Sequence, residues 1–361
     1  MKACDRCLRR GALLGLLVPW IARALDERRR LPALLALPDD ELVASVCGTK
    51  RAEVDAALAG FDARAAHRQA AAGGLTTVCP HEDGFPAGLR EGPDAVAALW
   101  MLGDPQRLEV LAGEHPVAVV GARRASAYGI EVARSLGREL AVAGVPLVSG
   151  MALGIDSVAH EGALEVGGLT IAVLAGGADY AYPRSRLRLH RRIAAEGLVV
   201  SELPPDTRPL RWLFPARNRI MAGMAAMTVV VEGTVRSGSL ITAGFAQDLG
   251  REVGAVPGHV TSALAAGPNG LLAEGATVVR SATDVLDAVY GVGARARAQR
   301  PAPALEPRLA ALLEAVERGE GSADAIAAGP GETADVIAGL SELELMGLVR
   351  RAAGGRYLRA P

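Results

Sequence analysis

The sequence predicts an α/β fold built on a doubly wound, mostly parallel sheet. Three observations predict it. Short apolar runs alternate with helical segments from Val117 to about Tyr290, which demands a parallel sheet with helices on both faces. Residues 117–160 read strand, tight glycine turn, helix, twice in succession. Glycine, serine and aspartate gather where each of those helices begins, as helix N-termini prefer.

The chain has 361 residues, enough for two or three domains. Half of it is hydrophobic and the formal net charge is -1. That balance excludes a uniformly basic coat, so any polyanion must meet a local patch. Lys2 and Lys50 are the only lysines, and the remaining basic residues are arginines. Arginine grips phosphate in a bidentate way and does not titrate as a base.

Residues 1–74 read as a small N-terminal helical domain of helix-hairpin type. Leu13, Leu16, Leu17, Trp20 and Ala24 fall near helical spacing. Pro38-Asp39-Asp40-Glu41 starts a further helix. Arg9 and Arg10 before the apolar run 12–22 also match the start of a secretory leader, the competing reading of that run. No other segment is apolar enough to span a membrane, so no membrane insertion and a cytoplasmic location are expected. Cys4 and Cys7 form a C-x-x-C pair, but neither a second close pair nor a nearby histidine cluster completes a zinc set. Together with Cys47 and Cys79 they read as reduced thiols. A redox pair or a partial metal site is the alternative.

Residues 75–290 carry the sheet. From Leu75 to Gly113 glycine and proline punctuate a lead-in, with a strand at 97–102. Strands are then expected at 117–120, 147–148, 169–174, 198–201, 228–231, 252–256 and 277–279. Helices are expected at 185–196, 218–226, 239–249 and 283–290. Residues 291–307 have no hydrophobic period and read as a linker. Residues 308–361 then hold three helical segments and a short hairpin, a winged-helix-like arithmetic. Leu340, Leu343 and Leu345 are expected in its core.

Ligands of such sheets sit at the strand C-terminal ends. There the first turn is G-x-R-x-x-S-x-x-G, offering Arg123 and Ser126 at a helix start. The second offers Ser149, Gly150, Gly154 and Asp156. Two helix N-termini would then face one crevice, which suits a phosphate. Asp156 is either part of that site or only a helix cap. The 185–196 helix carries Arg186 and Arg188. The loop after Ser201 mixes Arg217 and Arg219 with Trp212 and Phe214, two aromatics that fit the core better than a base-stacking role. Ser237-Gly238-Ser239 opens one more helix. Several anion-facing turns on one sheet edge suit a strand of phosphates rather than one small ligand.

Other chemistries lack their signatures. No G-x-x-x-x-G-K-[ST] is present, nor G-x-S-x-G. The second strand ends without the acid that would hold a ribose hydroxyl, which counts against nicotinamide and flavin enzymes.

The ordered series V-G-A-R-x-x-S-x-x-G, S-G-x-A-x-G-I-D-x-x-A-H, G-G-x-D-x-x-Y-P, F-P-x-R-N-R-I-x-A-G, R-S-G-S-L-I-T-A and A-V-P-G spans the sheet region. It resembles the DNA-processing protein A (DprA, or Smf) family. The resemblance implies an extended Rossmann-like core and a non-enzymatic protein that binds single-stranded DNA. It also implies a homodimer, protection of incoming DNA, and help in loading the RecA recombinase during natural transformation and recombination. Phosphate binding would fall on Arg123, Ser126, Ser149, Gly150, Gly154, Asp156, Arg217, Asn218, Arg219, Ser237, Gly238 and Ser239. After Tyr182-Pro183 the family often has Asn and then a basic residue. Here that contact would fall to Arg186 or Arg188. No catalytic residue, metal or cofactor is implied. The competing function is a nucleotide phosphoribohydrolase of the lysine-decarboxylase-like type. It would need P-G-G-x-G-T-x-x-E where this chain reads Glu232-Gly233-Thr234-Val235-Arg236-Ser237-Gly238-Ser239.

Overall fold

The computed structural model describes residues 2–26, 31–90, 96–294, 305–327, 332–346, 348–352 and 355–359. Nine strands among them form one sheet: β1 (Leu75–Val78), β2 (Leu99–Gly103), β3 (Val117–Val120), β4 (Leu147–Ser149), β5 (Thr170–Val173), β6 (Leu198–Ser201), β7 (Met227–Val230), β8 (Glu252–Ala255) and β9 (Thr277–Val278). Their order is β1-β2-β6-β5-β4-β3-β7-β8-β9. β1 and β2 pair antiparallel, and β2 joins β6 antiparallel. Every other pairing is parallel. From β3 the chain winds outward through β4, β5 and β6, then crosses back to place β7 on the other side of β3. This is the doubly wound α/β sheet that the sequence predicts, and its switch point lies between β3 and β7.

The residues of β3 are all buried. Val117 and Val119 enter the core on one face, and Ala118 and Val120 enter the core on the other. A strand covered on both sides can therefore be apolar throughout, without alternation. Two elements of the lead-in escape sequence reading, β1 and the helix Gln106–Gly113.

The N-terminal helices lie within one compact unit with the sheet, Met1–Arg297. Leu13, Leu17 and Ile21 of the helix Asp5–Asp26 are fully buried, in a cluster that includes Trp212, Leu213 and Ala216. Trp212 donates its indole N–H to the Val18 carbonyl at 2.9 Å, so it is a core residue. The helix beneath the crevice begins at Leu213, five residues before the expected start, and runs to Met224. Pro215 lies in its first turn, where a missing N–H leaves no bond unmade. Arg217 and Arg219 thus belong to a buried helix and not to a loop.

The second unit is Ala298–Pro361. It holds the helices Pro307–Glu317, Ala323–Ile326 and Thr333–Leu345, with strands β10 (Val349–Arg351) and β11 (Tyr357–Arg359) paired antiparallel. Leu340 and Leu343 are fully buried with Leu309, Val349 and Tyr357. Leu345, expected in that core, ends its helix 90% exposed. Most of the expected linker, residues 295–304, lies outside the described residues. No helix among the described residues is long and apolar enough to cross a membrane.

Candidate functional site

A crevice of about 260 Å³ opens at the switch point, beyond the ends of β3 and β7. Of the fourteen residues expected from sequence, it gathers Arg123, Asp156, Arg217, Asn218, Ser237, Gly238 and Ser239. The other seven do not line it, and all of them but Arg188 have a local role that the geometry makes visible.

Two of the three helix N-termini nearby are already served by the protein's own carboxylates. Ser126 caps the helix Ala127–Val142 through the Gly129 N–H. Its own N–H and hydroxyl both donate to Glu232, at 2.9 and 2.5 Å. Glu232 is buried and provides the negative charge that this helix end attracts. Sequence reading passes over it, because its partner lies 106 residues away. The second helix, Ile155–Glu165, is met by Asp156. Burial raises the pKa of this carboxyl group, against the Arg217 charge and the backbone N–H groups of Ala152, Gly121 and Gly150 that favour the anion. Only the third helix, Gly238–Asp248, presents its N-terminus to the crevice without a carboxylate of its own among the described residues. Ser237 caps it, the Ser237 and Ser239 hydroxyls lie 2.8 Å apart, and Gly238 is exposed.

Glycine brings the turns together. Gly154 adopts φ 78°, and a Cβ there would press on the Ala122 and Arg123 carbonyls, so only glycine lets the second turn lie against the first. A Cβ on Gly150 would overlap the Arg217 guanidinium. Ser149 is fully buried and donates its hydroxyl to the Val119 carbonyl at 2.6 Å. It ties β4 to β3 and does not face the crevice.

The arginines divide. Arg219 donates to both oxygens of Glu202 at 2.6 Å in a buried ion pair. Arg186 pairs with Glu161 at 3.2 Å, and Glu161 also binds Arg134. Arg188 is exposed on the helix Leu187–Glu196, away from the crevice lining. Arg217 is buried in the floor and donates to the Val173 carbonyl at 2.6 Å. Burial pulls its pKa down to about 10, Asp156 opposes the fall, and the Arg123 charge adds to it. Arg217 stays charged at neutral pH. Two guanidinium groups thus repel each other across one crevice, and an anion between them would relieve that repulsion. His160, also fully buried, is held neutral. Burial first and Arg217 second lower its pKa to about 3, and Nδ1 meets the Thr170 hydroxyl at 2.6 Å.

Arg123 is the exposed cation of the group. Its guanidinium carbon lies 5.1 Å from the centre of the Phe214 ring. Phe214 in turn meets Tyr182, with ring centres 5.6 Å apart. Phe214, expected in the core, is half-buried and lines the crevice, while Tyr182 is 45% exposed beside it. Tyr182 is a second residue that sequence reading does not select. The arrangement joins cations, N–H donors and an aromatic pair at one opening, with no exposed carboxylate in its lining.

Residues 76–290 match the family described as DNA recombination-mediator protein A. The chain belongs to this family, that of DprA. The protein Smf of Synechocystis sp. (strain ATCC 27184 / PCC 6803 / Kazusa) is 34% identical over 314 residues, covering 78% of this chain and 79% of the relative. The DprA of Bacillus subtilis (strain 168) is 39% identical over 214 residues, 59% of this chain and 71% of its own. Among solved structures, DprA from Streptococcus pneumoniae superposes with a TM-score of 0.62 at 31% identity, over 79% of this chain and 98% of that one. DprA from Helicobacter pylori, described for its single-stranded DNA binding mode, gives 0.52 at 28% identity over 59% and 94%. The resemblance read from the six motifs is therefore membership of the DprA family.

Proposed function

We propose that this DprA-family chain binds single-stranded DNA through the switch-point crevice, without breaking a bond in it. The observation that carries the reading is the convergence of Arg123, the buried charge of Arg217 and the open N-terminus of the helix Gly238–Asp248 on one cavity. Phosphates would meet Arg123, Asn218 and the Ser237–Ser239 turn. Tyr182, packed on Phe214, offers a ring face to a base. Asp156 lines the crevice beside Arg217, and Ser126, Ser149, Gly150, Gly154 and Arg219 shape the site from behind. Arg186 and Arg188 would meet the strand only where it leaves the crevice.

The phosphoribohydrolase alternative needs a free carboxylate in the turn after β7. Ser237 stands where that carboxylate would be, three residues after Thr234, and the nearby Glu232 is bonded to Ser126. Incubation with AMP should release no adenine, and sustained release would restore the enzyme reading. Assembly as a homodimer, a cytoplasmic location and delivery of the strand to the RecA recombinase extend the same proposal. Light scattering and a RecA filament-assembly assay test the first and last.

The primary test is fluorescence anisotropy with labelled single- and double-stranded oligonucleotides across a salt series. Preference for the single strand, with affinity falling as salt rises, is expected. Equal affinity for the duplex would overturn the reading.

A further inference from the structure

We propose that Cys4, Cys7, Cys79 and His81 form a structural zinc site that fastens the start of the N-terminal helix to the end of β1. Their ligand atoms all lie within 4.8 Å of one another. The His81 Nδ1 sits 3.5 Å from the Cys4 sulfur, 3.5 Å from that of Cys7 and 3.6 Å from that of Cys79. A tetrahedral ion with Zn–S of about 2.3 Å and Zn–N of about 2.05 Å needs sulfur–nitrogen edges of about 3.6 Å. The three distances match that edge. All four cysteines of the chain are free thiols, so none of the three is engaged in a disulfide.

The surroundings suit a thiolate-rich metal. Cys4 precedes, and Cys7 lies within, the first turn of the 22-residue helix Asp5–Asp26, whose positive end favours thiolate. The Cys4 backbone N–H reaches the Cys79 sulfur at 3.4 Å, the kind of donor that steadies a metal-bound sulfur. The Ala3 N–H donates to the Thr77 carbonyl at 3.1 Å, which sets the two segments in register before any metal arrives. Cys79 is fully buried and Cys7 nearly so, while His81 is exposed, leaving an entry path. Three thiolates and an imidazole select a soft, tetrahedral ion over magnesium or calcium. Four protein ligands close the coordination sphere, so the role is structural. None of the four lines the crevice. The C-x-x-C pair looks incomplete in sequence because Cys79 is 75 residues from Cys4.

The metal clips both ends of the helical segment that precedes β1 and should contribute folding stability. The test is metal analysis of the full-length protein, purified reduced and reconstituted with zinc. About one zinc per chain is expected. Cobalt substitution should give the intense visible bands and sulfur charge-transfer absorption of a tetrahedral thiolate site. Cys79→Ser should lose zinc at least about tenfold, while Cys47→Ser, outside the cluster, should retain it. Because Cys79 is buried, the exposed His81 supplies a second pair of variants. His81→Ala should weaken zinc retention against a competing chelator, and His81→Cys should restore it. Chelation should lower the melting temperature of the wild type by more than that of His81→Ala. No zinc after reconstitution, iron in its place, or equal zinc retention in wild type and His81→Ala would overturn the proposal.

Discussion

His160 and Gly150 show how single residues prepare the crevice from behind. His160 keeps a folded pKa of about 3 against an ordinary 6.5. As pH falls between those values, the unfolded chain takes up a proton that the native chain refuses. The native state therefore loses about 1.4 kcal/mol per pH unit through this window, and above it the histidine costs nothing. His160→Asn, which can still meet the Thr170 hydroxyl but does not titrate, should flatten that part of the stability–pH profile in urea melts. Profiles of equal slope would place the titration elsewhere. Gly150→Ala should destabilise by about 1–3 kcal/mol, because the added methyl group meets the Arg217 guanidinium in a packed floor. It should weaken single-strand binding as well, by displacing that charge. A melting curve unchanged from wild type would contradict the contact.

At the scale of elements, the strand–turn–helix units differ in what their N-termini are free to hold. Glu232 serves the first and Asp156 the second, leaving the helix Gly238–Asp248 as the anion-facing end. The motif pattern shows Asp156 in its own turn but makes the first and third ends look equivalent, because a turn sequence does not reveal a carboxylate such as Glu232 arriving from a distant strand end. The same blindness applies to Arg217 and Arg219. Both look like anion-facing arginines at the edge of a helix expected from Asn218, until that helix is seen to start at Leu213, with proline in its first turn and both arginines buried. Arg219 then proves to be half of a buried ion pair. Glu202→Ala removes a buried, two-oxygen carboxylate from Arg219 and should cost about 1.5–3 kcal/mol in chemical denaturation, the range for losing hydrogen bonds to a charged group in the interior. A cost below about 1 kcal/mol would mean that the pair behaves as a surface bridge.

For the whole molecule, the alternation of apolar runs and helices is enough to reveal the sheet, its parallel character and the edge where a ligand would lie. β3 is legible because burial on both faces makes it continuously apolar. β1 is not, because Leu75-Thr76-Thr77-Val78 is short and half polar, and it gains its identity from pairing with β2. Arg123 is legible because nothing in a strand–turn–helix requires an arginine at its tip. The Arg123–Phe214–Tyr182 cluster is hidden from sequence, since it joins two turns and a helix start that lie far apart along the chain. The proposed role of this crevice is to hold the phosphates of a single strand. Its most direct test compares wild type with Arg123→Ala in single-strand binding across a salt series. Binding should weaken for every oligonucleotide sequence, and the slope of log K against log salt should fall by about 0.7 for each phosphate that Arg123 would otherwise neutralise. Unchanged affinity and slope in Arg123→Ala would contradict it.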